Sequence, residues 1–460
     1  MLTRRSLLAA PLALAAPARP NIIVFMTDDH GAWATGAYGC SEMFTPNIDR
    51  LARTGTRFTQ AYAATPVCSP SRLSYMTGKM PSQHGVQDWL RPEDSFGKDT
   101  RRWLAGHTTY ARLLSEAGYR TGMVGKWHMG DDEHVQEGFS YWATVPGGGG
   151  PFKDVEFVKN GQRVKVPGFK EDFIGDCALE FLSAPSRQPF FLLVPFYAPH
   201  TPYNYQPEVD RAHYANSKFA CFPREPRHPW HNKELRQHHL EEASMRAYSA
   251  LISGADRNVG RVLDHLDRAG LRSSTTVVFT ADQGWNAGHH GVWGKGNGTW
   301  PFNMYDESIR VPMIWSHPGR IPESKTVDAM VSSYDFFPTM LDWAGVPAPT
   351  DAARPGRSYA PFLRGVNPKW DNKLYFEYSM VRGVRTPTAK LIERTAEWPG
   401  EFYDLARDPG EKQNLMDQPA SQATIEPLRA DLRRWFTKIG APPLSDWRGT
   451  TKQHLTEYSR

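Results

Sequence analysis

Asn21-Ile22-Ile23-Val24-Phe25-Met26-Thr27-Asp28-Asp29 is the stretch that decides the fold. From Ile22 to Met26 every side chain is apolar, which predicts a strand buried on both faces rather than one with a wet side. Two acids follow it directly. Beyond them, Thr45-Pro46 opens a helix with Ile48, Leu51 and Ala52 on one face and Gly55 as its stop. A helix over 110–118 precedes a strand over 121–124, which feeds Gly125-Lys126-Trp127-His128. A third buried strand, 190–196, leads to Ala198-Pro199-His200-Thr201-Pro202. A long helical pattern over 241–270 then precedes a strand over 275–280, which ends in Asp282-Gln283. Strands alternating with helices predict an α/β fold, a large and mostly parallel or mixed sheet sandwiched by helices. In such a sheet ligands bind beyond the carboxyl ends of the strands, where all four polar clusters fall.

After about residue 365 the pattern changes. Leu374–Tyr378, Val381–Arg385 and 401–405 read as short antiparallel strands, and 425–438 as a closing helix. The expected organisation is a leader over 1–18, a main α/β domain over 19–365, and a smaller C-terminal α+β subdomain over 366–460. The leader carries Arg4-Arg5, an apolar run over 7–16, and the small-residue cleavage options Ala13-Leu14-Ala15 and Ala16-Pro17-Ala18. Thr3-Arg4-Arg5-Ser6-Leu7-Leu8 looks like a twin-arginine signal, with an ordinary secretory signal as the alternative. The expectation is a bacterial protein exported to the periplasm or secreted. No later segment approaches the roughly 20 apolar residues of a membrane helix, so no transmembrane segment is expected.

With 460 residues and 40% hydrophobic side chains, the chain can bury a large core, and disorder is excluded. The formal charge of +5 without a long basic run argues against nucleic acid as a partner, while a slightly basic surface suits an anionic substrate. Aromatics make up 12% and include 15 Trp; some could line a groove for sugar or aryl groups, with core packing the default for each. Four cysteines, Cys40, Cys68, Cys177 and Cys221, are too few for a disulfide framework; with Cys68 set aside at most one bridge is possible, and none is expected. Four consecutive glycines within 146–151 predict a flexible loop. The His-rich tract 228–239 reads as a solvated surface insertion, because its spacing matches no compact metal motif.

Cys68-Ser69-Pro70-Ser71-Arg72 places a thiol at the start of a helix and a guanidinium one turn on. Pro70 is tolerated only in the first turn, and Leu73, Met76 and the Gly78 stop continue the pattern. Free backbone N–H groups there, with the planar fork of Arg72, favour an anion. Asp28, Asp29 and Asp282, if they meet at one sheet edge, are crowded anions that call for a cation. With the Gln283 amide oxygen they form an all-oxygen set suited to Ca²⁺ or Mg²⁺ rather than zinc.

Cys68-x-Pro70-x-Arg72, followed by Leu73, Ser74, Met76, Thr77 and Gly78, resembles the signature of the type I sulfatases of the alkaline phosphatase superfamily. Gly125-Lys126-Trp127-His128-Met129-Gly130 and Ala198-Pro199-His200-Thr201-Pro202 match further family motifs. So do the Arg385-Thr386-Pro387 strand and the segment 403–411, so the resemblance spans almost the whole chain after the leader. It implies an alkaline-phosphatase-like fold, oxidation of Cys68 to formylglycine by a maturation enzyme, and Ca²⁺ held by Asp28, Asp29, Asp282, Gln283 and the modified Cys68, with Mg²⁺ as the alternative. Many family members carry Asn where this chain has Gln283.

The resemblance also implies roles. The aldehyde hydrate at 68 attacks sulfur while Arg72, Lys126, His200 and Lys295 hold the sulfuryl oxygens. His200 or Lys295 serves the leaving oxygen, and His128 is the base that releases sulfate. His290 is a candidate sugar contact alongside His200 and Lys295, and His84 shares that reading with packing or capping. The expected activity is hydrolysis of a sulfate monoester on a small molecule or oligosaccharide, more readily a sulfated carbohydrate than an aryl alcohol. Two rivals are a phosphonate monoester hydrolase or phosphodiesterase of the same superfamily, and a noncatalytic sulfated-glycan-binding protein.

Overall fold

The deciding strand, β1 (Asn21–Thr27), lies at the centre of a ten-stranded sheet in the computed structural model, which describes residues 19–97 and 100–446. The expected leader over 1–18 lies outside the described residues. The other strands are β2 (Thr56–Phe58), β3 (Arg120–Gly125), β4 (Tyr141–Thr144), β5 (Lys153–Lys159), β6 (Gln162–Phe169), β7 (Phe190–Pro195), β8 (Thr275–Ala281), β9 (Met313–Ser316) and β10 (Lys325–Val327). Their spatial order is β10-β2-β9-β8-β1-β7-β3-β4-β5-β6. The central run β8-β1-β7-β3-β4 is parallel, and antiparallel pairs flank it, so the sheet is mixed.

Why β1 lacks alternation is visible in its packing. Ile22, Val24 and Met26 point into one apolar layer with Leu73, Tyr75 and Phe336. Ile23 and Phe25 point into the opposite layer with Ile174, Leu251 and Val259. The first layer is covered in part by α2 (Cys68–Thr77) and α3 (Tyr110–Glu116), while Ile48 and Leu51 of α1 (Pro46–Arg53) belong to the second. α4 (Lys170–Ser183) and α5 (Glu242–Arg268) complete the second layer, and α6 (Ser333–Ala344) the first. Helices on both faces bury both sides of the central strands β1, β7 and β8, the arrangement expected of a parallel core, while the outer β5 and β6 keep exposed positions.

A second, four-stranded antiparallel sheet follows: β11 (Leu374–Tyr378), β12 (Val381–Arg385), β13 (Ala389–Arg394) and β14 (Glu401–Asp404) in sequential order. α7 (Gln422–Lys438) packs Ile425, Leu432 and Phe436 with Phe376, Val381 and Leu391 of that sheet. This is the smaller strand-rich C-terminal region that the pattern predicts, with β13 as an additional strand.

Three expectations change. Cys40 and Cys221 form a disulfide where none was expected, their Cα atoms being 5.8 Å apart, within bridging range; Cys68 and Cys177 are free and buried. The His-rich tract is not a solvated insertion, since His231 is buried and its Nε2 lies 3.1 Å from the Trp293 carbonyl, packed over the hairpin that leads to Lys295. The glycine run opens with a 3-10 turn, Pro146–Gly148, packed against the site described next. Trp127, Trp142, Trp293 and Trp315 are all fully buried, which is the packing role. No helix among the described residues is long and apolar enough to cross a membrane.

Candidate active site

Register brings the clusters together. β1 pairs in parallel with β8 up to Thr27 opposite Ala281, and with β7 up to Met26 opposite Pro195, so their next residues emerge at one edge. The turns are tied to one another by backbone bonds, Asp282 N–H to the Thr27 carbonyl at 3.0 Å, His30 N–H to Gln283 at 3.2 Å, and Asp28 N–H to Ala198 at 3.1 Å. Asp29 and His128 have φ of +63° and +57°, a left-handed conformation that is uncommon off glycine and that clusters at functional sites.

α2 enters this edge by its N-terminus, with Val67 as an extended N-cap and Gly78, at φ +68°, ending the helix. All ten of its residues are buried, including Arg72. The Arg72 Nε and Nη2 reach Asp282 Oδ2 at 2.9 and 2.8 Å, Nη2 lies 3.4 Å from Asp28 Oδ2, and Nη1 donates to the Lys126 carbonyl at 2.6 Å. The guanidinium therefore braces two acids and the strand end that carries Lys126.

Around Cys68 the groups converge tightly. Its Sγ donates to Asp28 Oδ1 at 3.2 Å and receives Lys295 Nζ at 2.7 Å, and Lys295 also reaches Asp29 Oδ1 at 2.5 Å. Lys126 pairs with Asp28 Oδ2. Burial and then Asp28 push the Cys68 thiol up to about 12, so as a thiol it stays protonated and a poor nucleophile near neutrality. Burial works to raise Asp28, yet Lys126, His200, Arg72 and Lys295 hold it well below the usual carboxylate range. Asp282 goes the other way, up to about 7, through burial and then the charge of Asp28.

The expected crowding of acids is thus real, and three protein cations, Arg72, Lys126 and Lys295, already lie against it. Whether a metal fits as well is decided by unsatisfied acceptors. The Gln283 Nε2 bridges Asp29 Oδ1 and, at 3.5 Å, Asp28 Oδ1, while its Oε1 is buried without a hydrogen-bond partner. A half-turn of the amide would exchange the two and present the oxygen to the carboxylates' common focus. Asp29 Oδ2 is likewise buried without a hydrogen bond, with His200 Nε2 3.5 Å away. Single ligand atoms from Asp28, Asp29, Cys68 and His200 all lie within 4.8 Å of one another. This donor set could hold a metal ion, and its oxygens are of the hard kind.

The two histidines are each oriented by a backbone carbonyl. His128 has its Nε2 at 2.8 Å from the Leu90 carbonyl, which can only accept, so Nε2 carries the proton and Nδ1, buried and unpartnered, has the free lone pair. Burial and then Lys126 hold His128 well below its ordinary value, hence neutral. His200 places Nδ1 2.5 Å from the Thr201 carbonyl, which leaves Nε2 facing Asp29, and burial pulls it down to about 4. Leu90, whose carbonyl accepts from His128, donates its own N–H to Ser69 Oγ at 3.0 Å, so residue 90 links α2 to His128.

Asp28, Asp29, Cys68, Arg72, Lys126, His200, Asp282, Gln283 and Lys295 are therefore brought into one cluster, with His128 beside it. His290 is placed elsewhere: its Nε2 is 3.1 Å from Glu307 Oε2 and its ring stacks on Tyr305 at 3.7 Å. His84 is buried with Nε2 3.2 Å from Ser74 Oγ of α2 and Nδ1 accepting from Val86 N–H, a packing role. Tyr197 escaped the sequence reading. Its ring stacks on His200 at 4.9 Å and lies 5.1 Å from Lys126 Nζ, and its only signal was its place beside Ala198-Pro199-His200.

Comparison with known proteins agrees with this geometry. The family model "Sulfatase" matches residues 20–346, and "N-sulphoglucosamine sulphohydrolase, C-terminal" matches 288–438. An N-acetylglucosamine-6-O-sulfatase of Bacteroides thetaiotaomicron is 30% identical over 86% of this chain and 82% of its own. A structure solved with its substrate D-glucosamine-2-N,6-O-disulfate superposes with a TM-score of 0.79 at 26% identity, covering 94% of this chain and all (100%) of that one. The phosphonate monoester hydrolase of Agrobacterium radiobacter, at 21% identity and a TM-score of 0.72 over 92% of this chain and 96% of its own, shares the fold. With the family model spanning most of the chain and the buried Cys68 cluster at its sheet edge, the protein belongs to the sulfatase family and is a sulfatase, a sulfuric ester hydrolase.

Proposed function

We propose that this sulfatase releases inorganic sulfate from a sulfated carbohydrate, through formylglycine formed from Cys68 and a Ca²⁺ ion held by Asp28, Asp29, Asp282 and Gln283, with Mg²⁺ as the alternative ion. The observation that carries the proposal is the position of Cys68, at the N-terminus of α2 and within reach of Asp28 and Lys295 at 3.2 and 2.7 Å. Formylglycine supplies an aldehyde hydrate as oxygen nucleophile in place of a thiol whose ionisation burial suppresses, and the cation supplies charge stabilisation for the sulfuryl oxygens.

The chain's own residues divide the rest. Arg72 fixes the strand ends and adds positive charge at the anion-binding helix terminus. Lys126 and Lys295, each buried against an Asp, provide fixed cationic charge where the ester bond breaks, and the family resemblance assigns Lys295 to the leaving oxygen. His200 presents Nε2 to the same space, its other nitrogen engaged by Thr201. His128 offers the unpartnered Nδ1 as the proton acceptor that frees sulfate. Preference for a carbohydrate rests on the relatives, among them the N-acetylglucosamine-6-O-sulfatase and an ulvan-active sulfatase of Formosa agariphila, 26% identical over 92% of this chain. Export by way of residues 1–18 and a partner enzyme that oxidises Cys68 belong to the same proposal.

The test is mass spectrometry of the residue 68 peptide from protein made in a host able to mature it, with the loss of about 18 Da that converts thiol to aldehyde as the expected result. Alongside it, Cys68→Ala should abolish sulfate release with the fold intact, and aryl sulfate should be turned over faster than an aryl phosphodiester. Near-normal turnover by the variant sinks the nucleophile; a faster phosphodiester sinks the sulfate ester preference.

A further inference from the structure

We propose that Lys170 and Glu171, the first two residues of α4, are positioning residues that hold the segments behind both histidines, His128 and His200; the kinetic part of this inference rests on the roles given to those histidines above. Both residues are fully buried. A lysine in the first turn of a helix has the wrong sign for the helix dipole, and burying its ammonium adds a desolvation cost, so packing alone would favour Leu or Met there. Its contacts supply another reason for it. The Lys170 Nζ lies 3.4 and 3.3 Å from the Gly149 and Gly150 carbonyls and 3.8 Å from the centre of the Tyr197 ring.

Each contact leads to one histidine. The glycine loop runs directly against His128: a Cβ on Gly148, whose φ is +63°, would fall 2.4 Å from the His128 ring. Gly147 N–H is fixed to Asp132 Oδ2 at 2.8 Å, so the loop is pinned on both sides of Gly148, at Asp132 and at Lys170. On the other side, the Tyr197 ring stacks on His200, and its hydroxyl donates to the Thr201 carbonyl that also orients His200 Nδ1. Glu171 reinforces this second branch. Its Oε1 accepts from Ala198 N–H at 3.1 Å, two residues before His200. One dipeptide thus anchors two loops.

The experiment compares wild type with Lys170→Met, Lys170→Gln, Glu171→Gln and Glu171→Leu, all with residue 68 matured. Hydrogen exchange read by mass spectrometry should rise in Lys170→Met within peptides covering 146–151 and 198–201, with the strands β1, β7 and β8 unchanged. On 4-nitrophenyl sulfate its kcat should fall about tenfold or more with KM within about threefold, the signature of misplaced groups rather than lost binding. Lys170→Gln, which keeps a donor for the glycine carbonyls, should recover part of both effects. Glu171→Gln, which keeps an acceptor for Ala198, should lie nearer wild type than Glu171→Leu. Unchanged exchange in both loops, or exchange raised across the whole chain in every folded variant, overturns the proposal. If exchange responds as expected and even the matured wild type releases no sulfate, the anchoring stands and the assigned reaction fails.

Discussion

Two buried acid clusters in this molecule meet the same simple criterion for a metal site and differ in what satisfies them. Beside Asp28, Asp29, Cys68 and His200, the set His290, Glu307 and Glu411 also brings its ligand atoms within 4.8 Å of one another. In the second cluster, at the boundary with the C-terminal sheet, nearly every oxygen is taken. Asp306 receives Arg385 Nη2 and Lys390 Nζ, each at 2.8 Å; Glu411 receives Lys390 at 2.6 Å and Asp306 N–H at 2.7 Å; Glu307 faces His290 at 3.1 Å. Arg385 and Lys390 are cross-strand partners on β12 and β13, so one register delivers two cations to one face. At the sheet edge the three cations come from α2, the end of β3 and the Lys295 loop, and they leave Gln283 Oε1 and Asp29 Oδ2 without hydrogen bonds. Counting acids does not separate a metal site from an ionic staple. Glu411 Oε1 also lacks a hydrogen bond, but the Lys390 ammonium lies 2.6 Å from it, whereas Gln283 Oε1 has neither, so the clusters differ in whether every buried acceptor already faces a cation.

The largest effect should come from the unsatisfied cluster. Asp282→Asn keeps the shape and removes one charge, so bound metal measured by elemental analysis should drop. Sulfate release should fall about a thousandfold or more, several kcal/mol of charge stabilisation being at stake. Full metal content in a folded Asp282→Asn protein would break the distinction at its first term.

Next in size is the staple. Asp306→Asn would leave Arg385 and Lys390 buried without their main counter-charge, with an expected loss of about 3–5 kcal/mol in urea unfolding. Metal content should not change. A parallel loss of metal and stability would mean that the two clusters are one coupled system.

The sequence made the first cluster legible and hid the second. Asp28, Asp29 and Asp282 each end an apolar strand, and a parallel sheet puts such strand ends at one edge, so periodicity alone predicted their meeting. Cys68 and Arg72 were readable because Pro70 fits only the first turn of a helix and Gly78 closes it, which sets the thiol at its start. Arg72, Lys126 and Lys295 as counter-charges to those acids were not, since ion pairs depend on where side chains of separate elements converge. Lys170 was invisible for the same reason, as it faces Tyr197 and Gly149 across elements. The Cys40–Cys221 bridge spans 181 residues, beyond any local signal. In the outer sheet, the β5–β6 hairpin was legible and went unread: Asn160-Gly161 is a two-residue turn signal, flanked by the alternating Val155 and Phe157 on one side and Val164 and Val166 on the other.

The smallest effect tests the neutral edge of the staple by its pH dependence. Burial works to raise Glu307, but the His290 bond and the nearby His289 bring it down to about 2, against an ordinary value of 4.5. A carboxylate held below its unfolded value stabilises the fold fully above that unfolded value, and the contribution fades as pH falls through the folded one. The stability difference between wild type and Glu307→Gln should therefore be greatest above about pH 4.5 and shrink towards about pH 2. With a quarter (25%) of the Glu307 side chain exposed, solvent screening limits it to about 1 kcal/mol. Urea midpoints for both proteins across that range measure it. A difference that stays constant with pH would mean that Glu307 and His290 share a neutral hydrogen bond, and the second cluster would then be held by Asp306, Glu411, Arg385 and Lys390 alone.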